Sequence, residues 1–304
     1  MSSAPADPAP AELLDRCRFP APAAGPVTCA VSGGADSLAL LVLARQAGLK
    51  VTAVHVDHGL RDGSASEADV VATAADRFGA RFESRRAFVT PGPDLEARAR
   101  AARYAALPTD VLTGHTADDQ AETVLLNLLR GAGLDGLQGM SPANRPLLSL
   151  RRAETRALCD GLGLTVVDDP SNRDPAFRRN RVRHELLPLL DAIAERDVVP
   201  VLARQAPLLA DEAALLDELA SLLDPTDARG LAVAPPALAR RSVRAWLRGG
   251  TDAERHPPDA ATVERVLAIA RGDAKATDVG GGRRVTRARG RLTVTNDTST
   301  VVQS

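Results

Sequence analysis

The sequence predicts an α/β protein, an open doubly wound parallel sheet followed by a smaller helical/α+β domain, and three observations carry that expectation. Strand-like apolar runs alternate with helical patterns from Val27 to about Val167, the rhythm of parallel strands joined by crossover helices. Ser32-Gly33-Gly34-Ala35-Asp36-Ser37 stands between the apolar run Val27–Val31 and the helix-like run Leu38–Ala47, a strand, a tight turn and a helix in succession. After Arg179 the pattern turns helical and then closes on two alternating segments around Arg289-Gly290, which read as a hairpin.

The elements follow in order. Residues 1–24 are rich in Ala and Pro and are expected to form a flexible N-terminal arm with one short helix near Ala11–Arg18. Strands are expected at Val27–Val31, Val51–Val56, Arg81–Arg85, Val111–Thr113 and Thr165–Val167. Helices are expected near Ser37–Ala47, Ser64–Phe78, Asp94–Leu107, Ala117–Arg130 and Arg152–Leu162. Residues 25–195 would make the first domain. Residues 196–304 would make a helical connector, Val198–Leu223 interrupted by Pro207, and a small domain with helices at Pro236–Arg248 and Ala260–Arg271 and strands at Arg283–Ala288 and Arg291–Thr295.

At 304 residues the chain has room for two cores. The formal net charge of −1 makes any nucleic-acid signal a local one. Lys occurs at positions 50 and 275 alone, so the basic residues are almost all Arg, and a single arginine is weak evidence of function. Cys17, Cys29 and Cys159 form no CxxC pair, which fits a cytoplasmic protein without a metal site or redox dithiol. The N-terminus lacks a basic start and a continuous apolar stretch, so no secretory signal is expected. No run approaches the ~18 apolar residues of a membrane span, and a soluble protein is expected.

The Ser32–Ser37 segment reads as a phosphate site. Two glycines remove the Cβ atoms that would hold the backbone away from an anion, and the free N–H groups of a helix start then face the ligand. The Lys-Ser/Thr ending of a Walker loop and the spacing of a dinucleotide fingerprint are both missing. On these residues the segment resembles the SGGxDS signature of the PP-loop ATP pyrophosphatases, an adenine nucleotide alpha-hydrolase-like fold.

Four further blocks sharpen the resemblance. His55-Val56-Asp57-His58-Gly59-Leu60-Arg61 crowds polar groups at a strand end, and it matches a motif of one PP-loop branch, the tRNA(Ile)-lysidine synthetases, where it resembles an adenosine-binding loop. On the helix Leu95–Tyr104, Glu96, Arg100, Arg103 and Tyr104 share one broad face; this is also how a solvated face looks, and the family's EAxARxxRY pattern favours function. In Gly114-His115-Thr116-Ala117-Asp118-Asp119-Gln120-Ala121-Glu122-Thr123, residues His115, Asp119 and Glu122 stand at i, i+4 and i+7. Thr116 with Asp119 also reads as a capping box and Asp118 and Glu122 as complements to the helix dipole, but capping leaves His115 and Gln120 unexplained. The last block runs from Asp169-Pro170-Ser171-Asn172 through Arg179-Asn180-Arg181-Val182-Arg183 to Leu186-Leu187-Pro188, with Arg145-Pro146 upstream.

The resemblance implies an enzyme that ligates L-lysine, through a C–N bond, to the wobble cytidine of the CAU anticodon of an isoleucine tRNA. ATP is the co-substrate, pyrophosphate leaves on adenylation of the cytidine, and AMP leaves when the lysine amine attacks. It implies an ATP site at Ser32, Gly33, Gly34, Ala35, Asp36, Ser37, Val56, Asp57, His58 and Gly114, with Asp36 helping to hold Mg²⁺. Arg103 would stand at the phosphoryl transition state. Asp119 and Glu122 would orient the lysine ammonium group or the magnesium ion, and one of them or His115 would take the proton. Substrate and tRNA contacts are expected at Arg61, Arg145, Asn172, Arg179, Asn180 and Arg183. Arg284 and Arg287, in an arginine-rich hairpin, are expected to add phosphate contacts. Family members are often dimers, so a homodimer is also expected.

One rival comes from the same superfamily, a tRNA sulfur transferase, which usually shows catalytic cysteine pairs beside the site; a second is an amidotransferase-type synthetase acting on a small metabolite. A third is a nucleotide-binding protein without enzyme activity.

Overall fold

A computed structural model describes residues 10–57, 64–87, 98, 101–102, 104–249 and 258–296. The chain divides into two compact units, Met1–Leu209 and Ala210–Ser304.

In the first unit, β1 (Val27–Ala30), β2 (Val51–Asp57) and β3 (Arg81–Arg86) form a parallel sheet in the order 1-2-3. The register pairs Val27 with Val51 and Thr52 with Arg81. β2 reads Val-Thr-Ala-Val-His-Val-Asp, a β-branched run suited to a strand covered on both faces. Helices α2 (Ala35–Gln46) and α3 (Ser64–Arg77) are the crossovers. Every residue of α2 from Leu38 to Ala44 is buried, which explains why its sequence is apolar all round rather than amphipathic.

Two expected strands differ. Leu112 joins β1 by a single parallel bridge to Cys29, with its N–H on Thr28 O at 2.8 Å. It therefore extends the sheet at the edge opposite β2 without becoming a strand of its own. Residues 165–167 form no strand. The Val167 N–H bonds Gly33 O at 3.0 Å, so this segment lies along the loop after β1. Of the expected helix Asp94–Leu107, helical backbone is described at Arg98, Ala101, Ala102, Tyr104 and Ala105, and Ala106 and Leu107 form a turn after it; residues 94–97, 99–100 and 103 lie outside the described residues.

Within the segment expected as a flexible arm, α1 (Pro10–Arg16) is docked, with Leu13 fully buried in the main core. Arg16 is tied to Glu154 at 2.5 Å and to Ser149 O at 2.6 Å. Helices α4 (Ala117–Leu129) and α5 (Arg152–Gly161) follow. A helical run, α6, then joins Arg178–Arg181 to Leu187–Ala194 through a π-turn at Val182–Leu186. α7 (Val199–Ser221) carries Pro207 inside one continuous helix, not at a break.

The second unit holds α8 (Ala228–Val233), α9 (Pro236–Arg248) and α10 (Ala260–Arg271). These pack on an antiparallel sheet of β4 (Ala276–Gly280), β5 (Arg283–Ala288) and β6 (Arg291–Asn296). Val243, Leu247, Val266, Ile269, Val285 and Leu292 form its core. Arg289 and Gly290 have φ of 51° and 78°, the left-handed pair that a two-residue hairpin turn requires. β4 was not legible, since its five residues, Ala-Thr-Asp-Val-Gly, include Asp and Gly, which strands disfavour. Among the described residues no helix is long and apolar enough to cross a membrane.

Candidate active site

The Ser32–Ser37 loop lies at the carboxyl end of β1, where ligands sit in such sheets. Gly34 is the N-cap of α2 and provides no side-chain cap, so the Ala35 and Asp36 N–H groups stay available to an anion, while the Ser37 N–H turns back to Gly34 O at 3.1 Å. Gly33 has φ +83°, and a Cβ there would meet Val167 Cγ2 at 2.8 Å; the loop requires glycine for two separate reasons. The Ser37 hydroxyl donates to Gly34 O at 2.8 Å and accepts from the Ser32 N–H at 3.1 Å. Ser37 therefore shapes the loop, while Ser32 is exposed at its mouth.

Gly114 binds the fourth block to the first. A Cβ on it would lie 2.5 Å from Asp36 O, so the chain after Leu112 touches the loop backbone. Val56 and Asp57 end β2 on the same edge. His58, Arg61 and Arg103 lie outside the described residues, as do Glu96 and Arg100.

Beside the loop is a cluster of carboxylates and arginines. Glu122 is fully buried. Its Oε1 accepts from Arg152 at 3.1 Å and Arg183 at 2.7 Å, and its Oε2 from Arg179 at 2.7 Å and Arg183 at 3.2 Å. Asp119 Oδ1 accepts from Arg152 at 2.9 Å and Arg179 at 3.1 Å, while its Oδ2 accepts the Thr116 N–H at 2.9 Å. Asp118 Oδ2 takes the Arg151 Nε at 3.1 Å and the Arg152 N–H at 2.8 Å. Burial alone would raise the Asp119 carboxyl, but the Arg152 and Arg179 guanidiniums outweigh it and hold it at about 2. Asp36 goes the other way. Burial pushes it up to about 6, with the Asp119 charge adding to the rise, against a hydrogen bond from Thr155 and the charge of Arg152. Its side chain is 25% exposed, against 12% for Asp119 and none for Glu122, so Asp36 is the most open of the three.

Several expected site residues take partners inside the protein. Glu122 has both oxygens occupied by arginine, and Asp119 has Oδ1 on Arg152 and Arg179 and Oδ2 on Thr116, which leaves Asp36 as the most open acceptor. Arg179 and Arg183, one helical turn apart across the π-turn, face Glu122 together. Asn180 is buried and donates to Ser171 O at 2.7 Å and Asp174 O at 2.9 Å, so it fastens the Asp-Pro-Ser-Asn turn. The Asn172 carbonyl stands 3.2 Å from His184 Nε2. Arg145 holds its own turn through Ser141 O at 3.0 Å. Gln120, which capping left unexplained, brackets Met140 through its carbonyl at 2.7 Å and its amide at 3.1 Å. His115 Nδ1 lies 2.8 Å from Thr113 Oγ1, on a half-buried ring.

Arg151, Arg152 and Thr155 were missed. One signal could have found the arginines: two cations at the start of a helix oppose its dipole, so they need acidic partners from elsewhere.

Burial raises the thiols of Cys17, Cys29 and Cys159 to about 12, which keeps all three in the unreactive form. In the second unit, Arg283 donates to Leu247 O at 2.9 Å and Arg287 to Ala270 O at 3.0 Å, each closing a helix C-terminus. Arg284 and Arg289 are exposed.

Comparison with known proteins agrees with this layout. A family described as PP-loop domain matches residues 15–190, and one described as TilS substrate binding domain matches residues 227–293. The chain is 45% identical over 245 residues to a tRNA(Ile)-lysidine synthase of Nocardia farcinica, covering 74% of this chain and 77% of that one. It is 41% identical to the enzyme of that name from Rhodococcus opacus, covering 89% and 90%, and 43% identical to that from Salinispora tropica, covering 90% and 91%. Among solved structures, the U34-tRNA thiolase NcsA from Methanococcus maripaludis superposes with a TM-score of 0.52 at 15% identity, over 66% of this chain and 78% of that one. This likeness is one of fold.

Proposed function

Since the chain belongs to the tRNA(Ile)-lysidine synthase family, we propose that it uses ATP to join L-lysine to the wobble cytidine of an isoleucine tRNA with a CAU anticodon, forming a C–N bond. The observation that carries this reading is the meeting of an uncapped helix start at Ser32–Ser37 with the partly open Asp36 carboxylate and the Asp119–Glu122 cluster behind it. An anionic nucleotide and a cationic amine need those two surfaces side by side.

The cytosine C2 oxygen is a poor leaving group, so it is first adenylated at the ATP α-phosphate with loss of pyrophosphate. The Ala35 and Asp36 N–H groups and the Ser32 hydroxyl hold that pyrophosphate as its charge grows. Asp36 fits Mg²⁺: it is a partly open carboxylate beside a phosphate loop, and among the described residues no group of three or more potential ligands forms a cage of its own. Such a site suits an ion held by one carboxylate and substrate phosphates. Bound Mg²⁺ supplies charge neutralisation at the phosphates. Arg103 is assigned to the phosphoryl transition state on the family pattern alone. Asp119 takes the lysine amine in exchange for an arginine partner, Glu122 supports it from behind through Arg152, and His115 accepts the proton the amine must lose before it attacks C2 and expels AMP. The cytidine must leave its stack to reach the site. Arg284 and Arg289 contact tRNA phosphates.

The inert thiols weigh against sulfur transfer. The test is incubation with ATP, Mg²⁺, radiolabelled L-lysine and a CAU isoleucine tRNA transcript, with a wobble-uridine transcript as control. Acid-precipitable label is expected on the CAU transcript alone and is expected to vanish in Asp36→Ala. No label from a protein that still binds ATP would overturn the reading.

A further inference from the structure

Three residues on one face of α5, at i, i+3 and i+7, meet the start of α2. Thr155 Oγ1 donates to Asp36 Oδ1, Arg152 Nε lies 3.5 Å from Asp36 Oδ2, and the Cys159 thiol points to Ala35 O at 3.4 Å. Thr155 is fully buried. Its hydroxyl also lies 2.9 Å from the Arg152 carbonyl, but its single proton goes to the charged acceptor, which makes the stronger bond.

The two Asp36 oxygens therefore differ. Oδ1 is held by a buried hydroxyl in a fixed direction. Oδ2 has Arg152 at 3.5 Å, too long for a strong hydrogen bond, and is the oxygen left to a cation. A carboxylate with neither oxygen tied would turn about its Cβ–Cγ bond and present either one.

We propose that Thr155 is a positioning residue of the ligation reaction, fixing the Asp36 carboxylate by its Oδ1 so that Oδ2 meets the nucleotide's counter-ion, and that α5 forms the rear wall of the phosphate loop. This rests on the ATP-dependent reading above. Thr155 touches no substrate; it acts through Asp36.

The test compares Thr155→Val, which keeps the shape and removes the hydroxyl, with Thr155→Ser, which keeps the hydroxyl. Wild type must first attach labelled lysine to the CAU transcript; if it does not, the functional reading fails and the positioning role fails with it. Given an active wild type, Thr155→Val is expected to lower kcat for tRNA-dependent pyrophosphate release about tenfold, the weight of a hydrogen bond to a charged group. Its ATP affinity by calorimetry should stay within about threefold, because the loop backbone supplies most phosphate donors. Thr155→Ser should regain wild-type kcat. An unchanged kcat in Thr155→Val, a loss confined to ATP affinity, or a folded Thr155→Ser as slow as Thr155→Val would each overturn the proposal. Should Thr155→Val not fold, judged by its thermal transition, Thr155→Ser and Thr155→Ala decide the matter by the same split.

Discussion

The two halves of the candidate site are built on opposite plans. The phosphate loop is made of backbone: its glycines, its uncapped helix start and Ser37 form a cradle whose donors still face outward. The neighbouring cluster is made of long side chains that have largely neutralised one another, with Glu122 and Asp119 saturated by Arg152, Arg179 and Arg183. Backbone dipoles are fixed in place and cannot collapse onto each other, so an anion site can stay open without its ligand. Buried charges cannot stay unpaired. The same chain therefore presents a ready anion cradle beside a cation site of which Asp36 is the most open member.

The largest effect that would break this contrast is removal of the buried acid. Glu122→Ala strands Arg152, Arg179 and Arg183 around an empty centre, and a loss of about 3–5 kcal/mol is expected, the cost of breaking a buried pair by one partner. Chemical denaturation of the whole chain checks it, and a loss below about 1 kcal/mol would show that the arginines find water instead.

Asp36 should behave in the reverse way. Its pKa rises on folding from 3.8 to about 6, so its contribution to stability is fully present below about pH 4 and is lost as pH rises through 6. Asp36→Asn is thus expected to stabilise the protein by about 1–2 kcal/mol at pH 7.5, to change little at pH 4, and to abolish lysine ligation. Melting curves at both pH values, beside the ligation assay, test that trade of stability for function.

The smallest effect separates two arginines of one hairpin. Arg287→Ala removes a donor to the end of α10 and should cost about 1 kcal/mol of stability. Arg284→Ala should leave Tm unchanged but weaken tRNA binding and lower its salt dependence by roughly one phosphate contact. Identical behaviour of the two variants would erase the distinction between structural and surface arginines.

Much of this was legible in the sequence. The hexapeptide Ser32–Ser37, the helices at Pro236–Arg248 and Ala260–Arg271 and the hairpin at Arg289-Gly290 all stand where pattern and turn chemistry placed them. Each depends on neighbours a few residues away, the range over which periodicity and glycine act. The Thr116–Asp119 capping box belongs with them, since the local structural reading proved correct there. The sequence leaves Gln120 unexplained because its partner, Met140, is twenty residues distant. Arg287 was read as a phosphate contact because composition cannot tell a guanidinium that closes a helix from one that faces water.

The sequence by itself determined the parts: a glycine loop between strand and helix, a supply of carboxylates on α4, and a chain rich in arginine. Tertiary structure decided which of those charges remain open. Thr155 reaches Asp36 across 119 residues of chain, and Arg183 reaches Glu122 across 61. Coulomb attraction and hydrogen bonding depend on distance through space, which only the packing of α4, α5 and α6 against the loop after β1 sets.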